Sequence, residues 1–69
     1  MNKIQIGQII KERRKLLNIA QQDICEMAGV SQHTLSAIEN GNGNPAVDTL
    51  LKILNILGID IELKVRKLP

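Results

Sequence analysis

The sequence predicts an all-α domain of four to five helices with a short C-terminal β-strand. Three observations lead there. Apolar residues recur at spacings of three and four through most of the chain, the period of helices that each bury one stripe. Gly29, Gly41 and Gly58 punctuate those stripes, and a helix that must stop favours a residue able to take positive φ. Beyond Gly58 the apolar period drops to two, the alternation of a half-buried strand.

The first helix is expected over Ile6 to Leu17, with Ile6, Ile9, Ile10, Leu16 and Leu17 on its stripe. Arg13 falls in phase with Ile6 and Ile10 and interrupts that stripe. Its aliphatic stem can cover the core edge while its head stays in water. The second helix spans Gln21 to Ala28, with Ile24, Met27 and Ala28 on one face and Cys25 beside them. Asp23 suits its positive N-terminal end. Gly29-Val30-Ser31 leaves only a short turn before a third helix, Gln32 to Asn40. Ser31 is a good N-cap for it. Leu35 and Ile38 bury one narrow side. The other side carries Gln32, His33, Ser36, Ala37 and Asn40, with no bulky apolar group. Two Asn-Gly pairs follow, ordinarily a hairpin signal. Their flanks are helical in period, so they read as a loop, with Gly41 capping the third helix. Asn44-Pro45 is expected to open the fourth helix as N-cap and first residue. Val47, Leu50, Leu51, Leu54 and Leu57 form its stripe. Ile53 and Ile56 make it apolar over a second face, a candidate partner surface. Ile59, Ile61, Leu63 and Val65 alternate with charged residues. A lone strand has no mate in its own chain apart from residues 2–6, which are too few to judge. Pairing across a two-fold axis would satisfy it; a disordered or helix-packed tail is the alternative. The division is thus residues 1–58 for the helical domain and 59–69 for the tail, a dimerisation element.

Composition narrows the function. A chain of 69 residues holds one small core, marginal alone, which oligomerisation commonly remedies. It has no Phe, Trp or Tyr, which argues against binders that stack single-stranded bases on aromatic rings. The formal net charge is only +2. Basic residues cluster at the two ends, Lys3, Lys11, Arg13, Arg14 and Lys15 at one and Lys64, Arg66 and Lys67 at the other, while the middle is acidic. Folding could gather them into a footprint for nucleic acid, or leave them as solvated faces. Cys25 is the only cysteine and His33 the only histidine, too few for a four-ligand metal site. No cofactor is implied. Ser31 has no neighbouring base to make it a nucleophile, so no enzyme is expected. The chain lacks an apolar run long enough for a bilayer and an N-terminal export pattern, so a cytoplasmic location is expected.

Two short helices joined at a glycine turn, the second exposing short polar side chains, form a helix-turn-helix. Such a helix fits the major groove of double-stranded DNA. Its face must hydrogen-bond base edges without clashing, and glutamine, imidazole, hydroxyl and methyl groups do so. Gln21 is placed to anchor a phosphate at the start of the second helix.

The run Gln21 to Gly41, with alanine, glycine, valine and serine at 28–31, Thr34-Leu35-Ser36 and Ile38-Glu39-Asn40-Gly41, resembles the Cro/repressor (XRE) helix-turn-helix family. The likeness extends from Ile6 to Gly58. It implies a lambda-repressor-like fold. With the tail added, the chain is most similar to HipB-type regulators. That resemblance implies a dimeric, autorepressing transcriptional repressor on a palindromic operator, and a HipA-like toxin kinase as partner. The alternative is an antitoxin or adaptor that mainly holds such a partner. The resemblance assigns DNA contacts to Gln21, Ser31, Gln32, His33, Thr34, Ser36, Ala37, Asn40, Asn42 and Asn44. It assigns a structural ion pair to Arg14 and Glu39. Dimer contacts are expected at Ile53, Ile56, Ile59, Ile61, Leu63 and Val65. Three positions depart from the family pattern: Ala20 lacks a capping side chain, Arg13 replaces an apolar residue, and the loop at 42–44 carries no basic group.

Overall fold

A computed structural model describes all residues, 1–69. Four helices form: α1 (Lys3–Leu16), α2 (Gln21–Ala28), α3 (Gln32–Glu39) and α4 (Val47–Ile56). α1 packs on α3, and α2 packs on both α3 and α4. Ile10, Ile24, Leu35, Ile53 and Leu57 are fully buried where the four meet, with Cys25, Ala28, Ile38 and Leu54 around them. One branched aliphatic or two from each helix suffices because no ring has to be accommodated.

Each boundary has a local cause. α1 starts three residues earlier than its apolar stripe suggested. The Asn2 side chain accepts from the Gln5 N–H, and the Gln5 side chain accepts from the Asn2 N–H. This reciprocal capping box satisfies two otherwise orphaned donors. α1 ends at Leu16 with Leu17 as its C-cap, and Asn18 just beyond is the one non-glycine residue with positive φ, at 58°, a conformation asparagine tolerates better than most. α2 begins at Ala20 without a side-chain cap and ends at Gly29 in the left-handed region (φ 70°, ψ 34°). Ser31 caps α3, its Oγ accepting from the Thr34 N–H at 3.1 Å.

Gly7 lets α1 and α3 touch. A Cβ built there would lie 2.3 Å from the Ile38 carbonyl oxygen and 2.8 Å from that of Glu39. Both are backbone atoms at the end of α3, so the crossing admits only hydrogen at position 7.

The helices number four, within the four to five expected. Three expectations are corrected. Asn44-Pro45 does not open α4; the N-cap is Ala46, with no side-chain hydrogen bond. The Asn44 Oδ1 accepts instead from the Lys3 ammonium, which removes it from capping. Ile53 is fully buried and belongs to the core, since Leu50, Ile53, Leu54 and Leu57 are the face α4 turns inward. Leu51 (46% exposed) and Val47 (69%) are left outside. The tail forms no strand. Strand geometry requires inter-strand hydrogen bonds, and no segment of this chain lies alongside to supply them. Ile59 packs against the core and Ile61 stays half covered, while Leu63 and Val65 are wholly in solvent. No helix is long and apolar enough to cross a membrane.

Candidate nucleic-acid interface

The centre of the site is the junction of α1, α2 and α3, where a buried charge is tied outward to an exposed helix face. Glu39, in the last turn of α3, is 5% exposed. Arg14 on α1 grips it with two prongs, Nε to Oε2 at 2.6 Å and Nη2 to Oε1 at 3.1 Å. The third guanidinium nitrogen, Nη1, donates to the Ile19 carbonyl at 2.9 Å. This fork geometry holds α1, the α1–α2 turn and the end of α3 together. Burial alone would push the Glu39 carboxyl up. The hydrogen bonds from Arg14 and Gln21, with the charges of Arg14 and Lys11, outweigh it and hold the group below the ordinary carboxylate range. The same hydrogen bond holds Arg14 above its ordinary value, against the opposing pull of burial.

Gln21 passes the constraint to the surface. Its Nε2 donates to Glu39 Oε1 at 3.1 Å. Its Oε1 accepts from Ser36 Oγ at 3.2 Å and from Gln32 Nε2 at 3.3 Å. The chain of contacts therefore runs from Arg14 through Glu39 and Gln21 to two side chains on α3. Gln32 is exposed and keeps its Oε1 and second N–H unbonded within the protein. His33 is exposed beside it. Ser31 and Thr34 hydroxyls share a hydrogen bond of 2.9 Å.

A second group lies at the other end of α3. Ala37, Thr34, Asn42 and Asn44 line a shallow depression between α3 and the loop. The Asn42 N–H donates to the Ala37 carbonyl at 2.8 Å, and Gly41 sits against Ile4, so the loop is fastened to α1 and α3. Asn40 is exposed as the C-cap of α3.

The structure thus brings together Gln21, Gln32 and Ser36 by direct bonds, and Thr34, Ala37, Asn42 and Asn44 around one depression. The Gln21 amide is committed internally, while the N–H groups of Gln21 and Gln22 in the first turn of α2 have no partner within the helix. Three of the basic groups of α1 are committed within the protein. Arg14 is neutralised by Glu39. Arg13 is half-buried, its Nε donating to the Leu57 carbonyl at 2.9 Å, where it caps the negative end of α4. Lys3 joins the loop through Asn44. Lys3 and Gly7 are the residues that sequence reasoning missed. An isolated glycine inside a helical stripe was the available signal for Gly7; nothing local pointed from Lys3 to Asn44. Cys25 is buried in the core, and burial followed by the charges of Glu39 and Glu26 pushes its thiol up, as suits a packing residue rather than a reactive one.

Comparison with known proteins agrees with this geometry. A helix-turn-helix family profile matches residues 10–64. An HTH-type transcriptional regulator of Methanocaldococcus jannaschii is 38% identical over 53 residues, covering 77% of this chain and 80% of that protein. The chain spans less of other curated relatives, 63% of one and 17% of another. Among solved structures, a chain of the HipA-HipB-O2-O3 complex superposes with a TM-score of 0.83 at 27% identity, over 97% of this chain and 94% of that one. The biofilm master regulator SinR, solved in complex with DNA, superposes with a TM-score of 0.70 at 38% identity, over 80% of this chain and 89% of that one. By its α2–turn–α3 geometry and these matches, the chain belongs to the helix-turn-helix family of transcriptional regulators.

Proposed function

We propose that this protein is a sequence-specific repressor that binds double-stranded DNA as a homodimer, with α3 as its recognition helix. One observation carries the reading. The exposed face of α3 is uncharged and short, and its position is fixed from below by the Arg14–Glu39–Gln21 chain. A face that reads base edges needs donors and acceptors at set places, because a mispositioned bidentate contact loses its discrimination. Gln32 and His33 stand at the N-terminal end of α3, the part of such helices that reaches bases. Ser36 and Ala37 stand one turn on. Ser31, Thr34, Asn40, Asn42 and Asn44 are the flanking groups suited to the phosphate backbone.

Two such helices related by a two-fold axis would enter successive major grooves about 34 Å apart on a palindromic operator. The dimer contact is assigned to Ile61, Leu63 and Val65 of the tail with Ile56 and Leu51 of α4, apolar groups that the monomer leaves partly or fully exposed. The tail becomes a strand only in that pairing. Occupying the operator would block transcription, and the gene's own upstream region is the first candidate target.

The test is a salt titration of binding to that upstream duplex and to a scrambled duplex, for wild type and a Gln32→Ala, His33→Ala double variant. Tight wild-type binding to the upstream duplex, lost in the variant, is the expected result. Equal, weak and steeply salt-dependent binding to both duplexes would reduce the interaction to charge attraction and overturn the reading.

A second reading is favoured by the wholly exposed Leu63 and Val65 and by the superposition on a HipA-HipB assembly. In it the chain is an antitoxin or adaptor whose main task is holding a toxin kinase. Co-purification of a kinase encoded next to this gene, abolished by truncation after Gly58, would put this reading first.

A further inference from the structure

The two Asn-Gly pairs that follow α3 are chemically alike and structurally unlike, and the difference marks a modification site. An asparagine followed by glycine can cyclise onto its own backbone. The glycine nitrogen, after giving its proton to a base, attacks the asparagine Cγ. A new N–C bond forms, the bond to the side-chain nitrogen breaks, and that nitrogen leaves as ammonia. Water then opens the ring at either carbonyl, leaving aspartate or isoaspartate. The balance is one water in and one ammonia out. Glycine favours the attack because it has no Cβ to crowd it, and the attacking N–H must be free of other partners.

At Asn40-Gly41 it is not free. The Gly41 N–H donates to the Ile38 carbonyl at 3.1 Å, and Gly41 is pressed against Ile4, with a Cβ position only 2.8 Å from the Ile4 Cα. At Asn42-Gly43 the Asn42 N–H is held by the Ala37 carbonyl at 2.8 Å, but the attacking glycine nitrogen is free. The Gly43 N–H has no acceptor within the protein. The space around Gly43 is open, the nearest atom to a Cβ there being the Ala37 Cβ at 4.0 Å. Asn42 is exposed, and its side chain has no hydrogen bond within the protein. Asn44 cannot react this way, since Pro45 has no N–H. Asn18 is followed by Ile19, whose N–H donates to Arg14.

We infer that Asn42 deamidates spontaneously in the folded protein, and that this places a negative charge on the loop beside α3 and weakens DNA binding. The second half rests on the proposed recognition role of α3. Asn42 lines the same depression as Thr34 and Ala37, so a carboxylate there would face phosphate. The protein would thus carry a timer whose setting is the rate of ring closure at one residue.

The experiment ages the full-length protein in mildly alkaline buffer and maps it by peptide mass and isoaspartate-specific methyl labelling. Asn42 converts at least about fivefold faster than Asn40, the factor expected from one net hydrogen bond on the Gly41 N–H, and Asn44 does not convert. Asn42→Gln abolishes the signal, because the longer side chain closes a less favoured ring. Conversion of Asn40 at the rate of Asn42 would overturn the assignment. In parallel, Asn42→Asp is titrated against the upstream duplex. It binds about three- to tenfold more weakly than the neutral Asn42→Gln, which loses the same native side chain, with the deficit shrinking as salt rises. Equal affinity of the two variants would overturn the effect on binding. Failure of wild type itself to prefer that duplex would instead overturn the recognition role, with the mapping still deciding the labile residue.

Discussion

Residues 1–58 and 59–69 are both rich in apolar side chains, and they end in opposite conditions. In the first segment Ile10, Ile24, Leu35, Ile53 and Leu57 are sealed from water. In the second, Leu63 is 93% exposed and Val65 is fully exposed. The contrast lies in the backbone. A helix satisfies its N–H and C=O groups internally, so its apolar stripe can be buried by any neighbour of suitable shape. An alternating segment has to find hydrogen-bond partners before its apolar face can be buried. One chain supplies the first need and not the second. On the proposed reading the tail takes its structure from a partner, whereas α3 is set by its own chain.

Breaking the self-sufficient segment should have the largest effects. Glu39→Ala leaves the Arg14 guanidinium, with 12% of its side chain exposed, without its carboxylate. It also frees Gln21 from below, so the cost should be about 3–4 kcal/mol, read as a fall in the urea midpoint. A small domain with only a few kcal/mol in hand would be largely unfolded by it. Gly7→Ala should come next. Helix propensity favours alanine by about 1 kcal/mol, but its Cβ must displace the carbonyls of Ile38 and Glu39. A net loss of about 2 kcal/mol is expected, and equal or greater stability would show that α1 and α3 can separate there without cost.

Acid sharpens the same contrast. The Glu39 carboxyl is held below its ordinary value in the folded state, so the unfolded chain takes up its proton first as pH falls. The stability it contributes is complete above the unfolded carboxylate pKa and is lost as pH drops through the lower, folded one. Urea midpoints measured from neutral into acid should therefore fall for wild type and fall less for Glu39→Gln. Parallel curves would mean that Glu39 does not drive the acid loss. The smallest effect belongs to the tail. Leu63→Lys with Val65→Lys should change the stability of the monomer by less than about 0.5 kcal/mol while abolishing the dimer in sedimentation at micromolar concentration. A large loss of monomer stability would show that the tail packs on its own chain.

Much of this was legible in the residues. Helix periods, the glycine stop after α2 and the Ser31 cap located the helix-turn-helix, and α2 and α3 match the expected spans to within one residue. The Arg14–Glu39 pair followed from resemblance and is present. What could not be read was the competition for polar groups. Asn44 looked like a cap because Asn-Pro commonly opens helices, yet Lys3, far away in sequence, takes its oxygen. Asn2 and Gln5 were a capping box three residues apart, hidden because the apolar stripe begins later. Arg13 looked like a defect in the stripe and instead closes α4 at the Leu57 carbonyl. Ile53 looked surplus because α4 is apolar on two faces, and only packing decides which face turns inward.

On the proposed reading, a pair of identical α3 helices, each held by its own Arg14–Glu39–Gln21 chain, reads two half-sites. Hydroxyl-radical and methylation footprinting on the upstream duplex tests it most directly. Two protected major-groove patches of inverted sequence are expected, centred about 34 Å apart on one face of the DNA, both lost together in Gln21→Ala. A single patch, or uniform protection unchanged by that substitution, would contradict it.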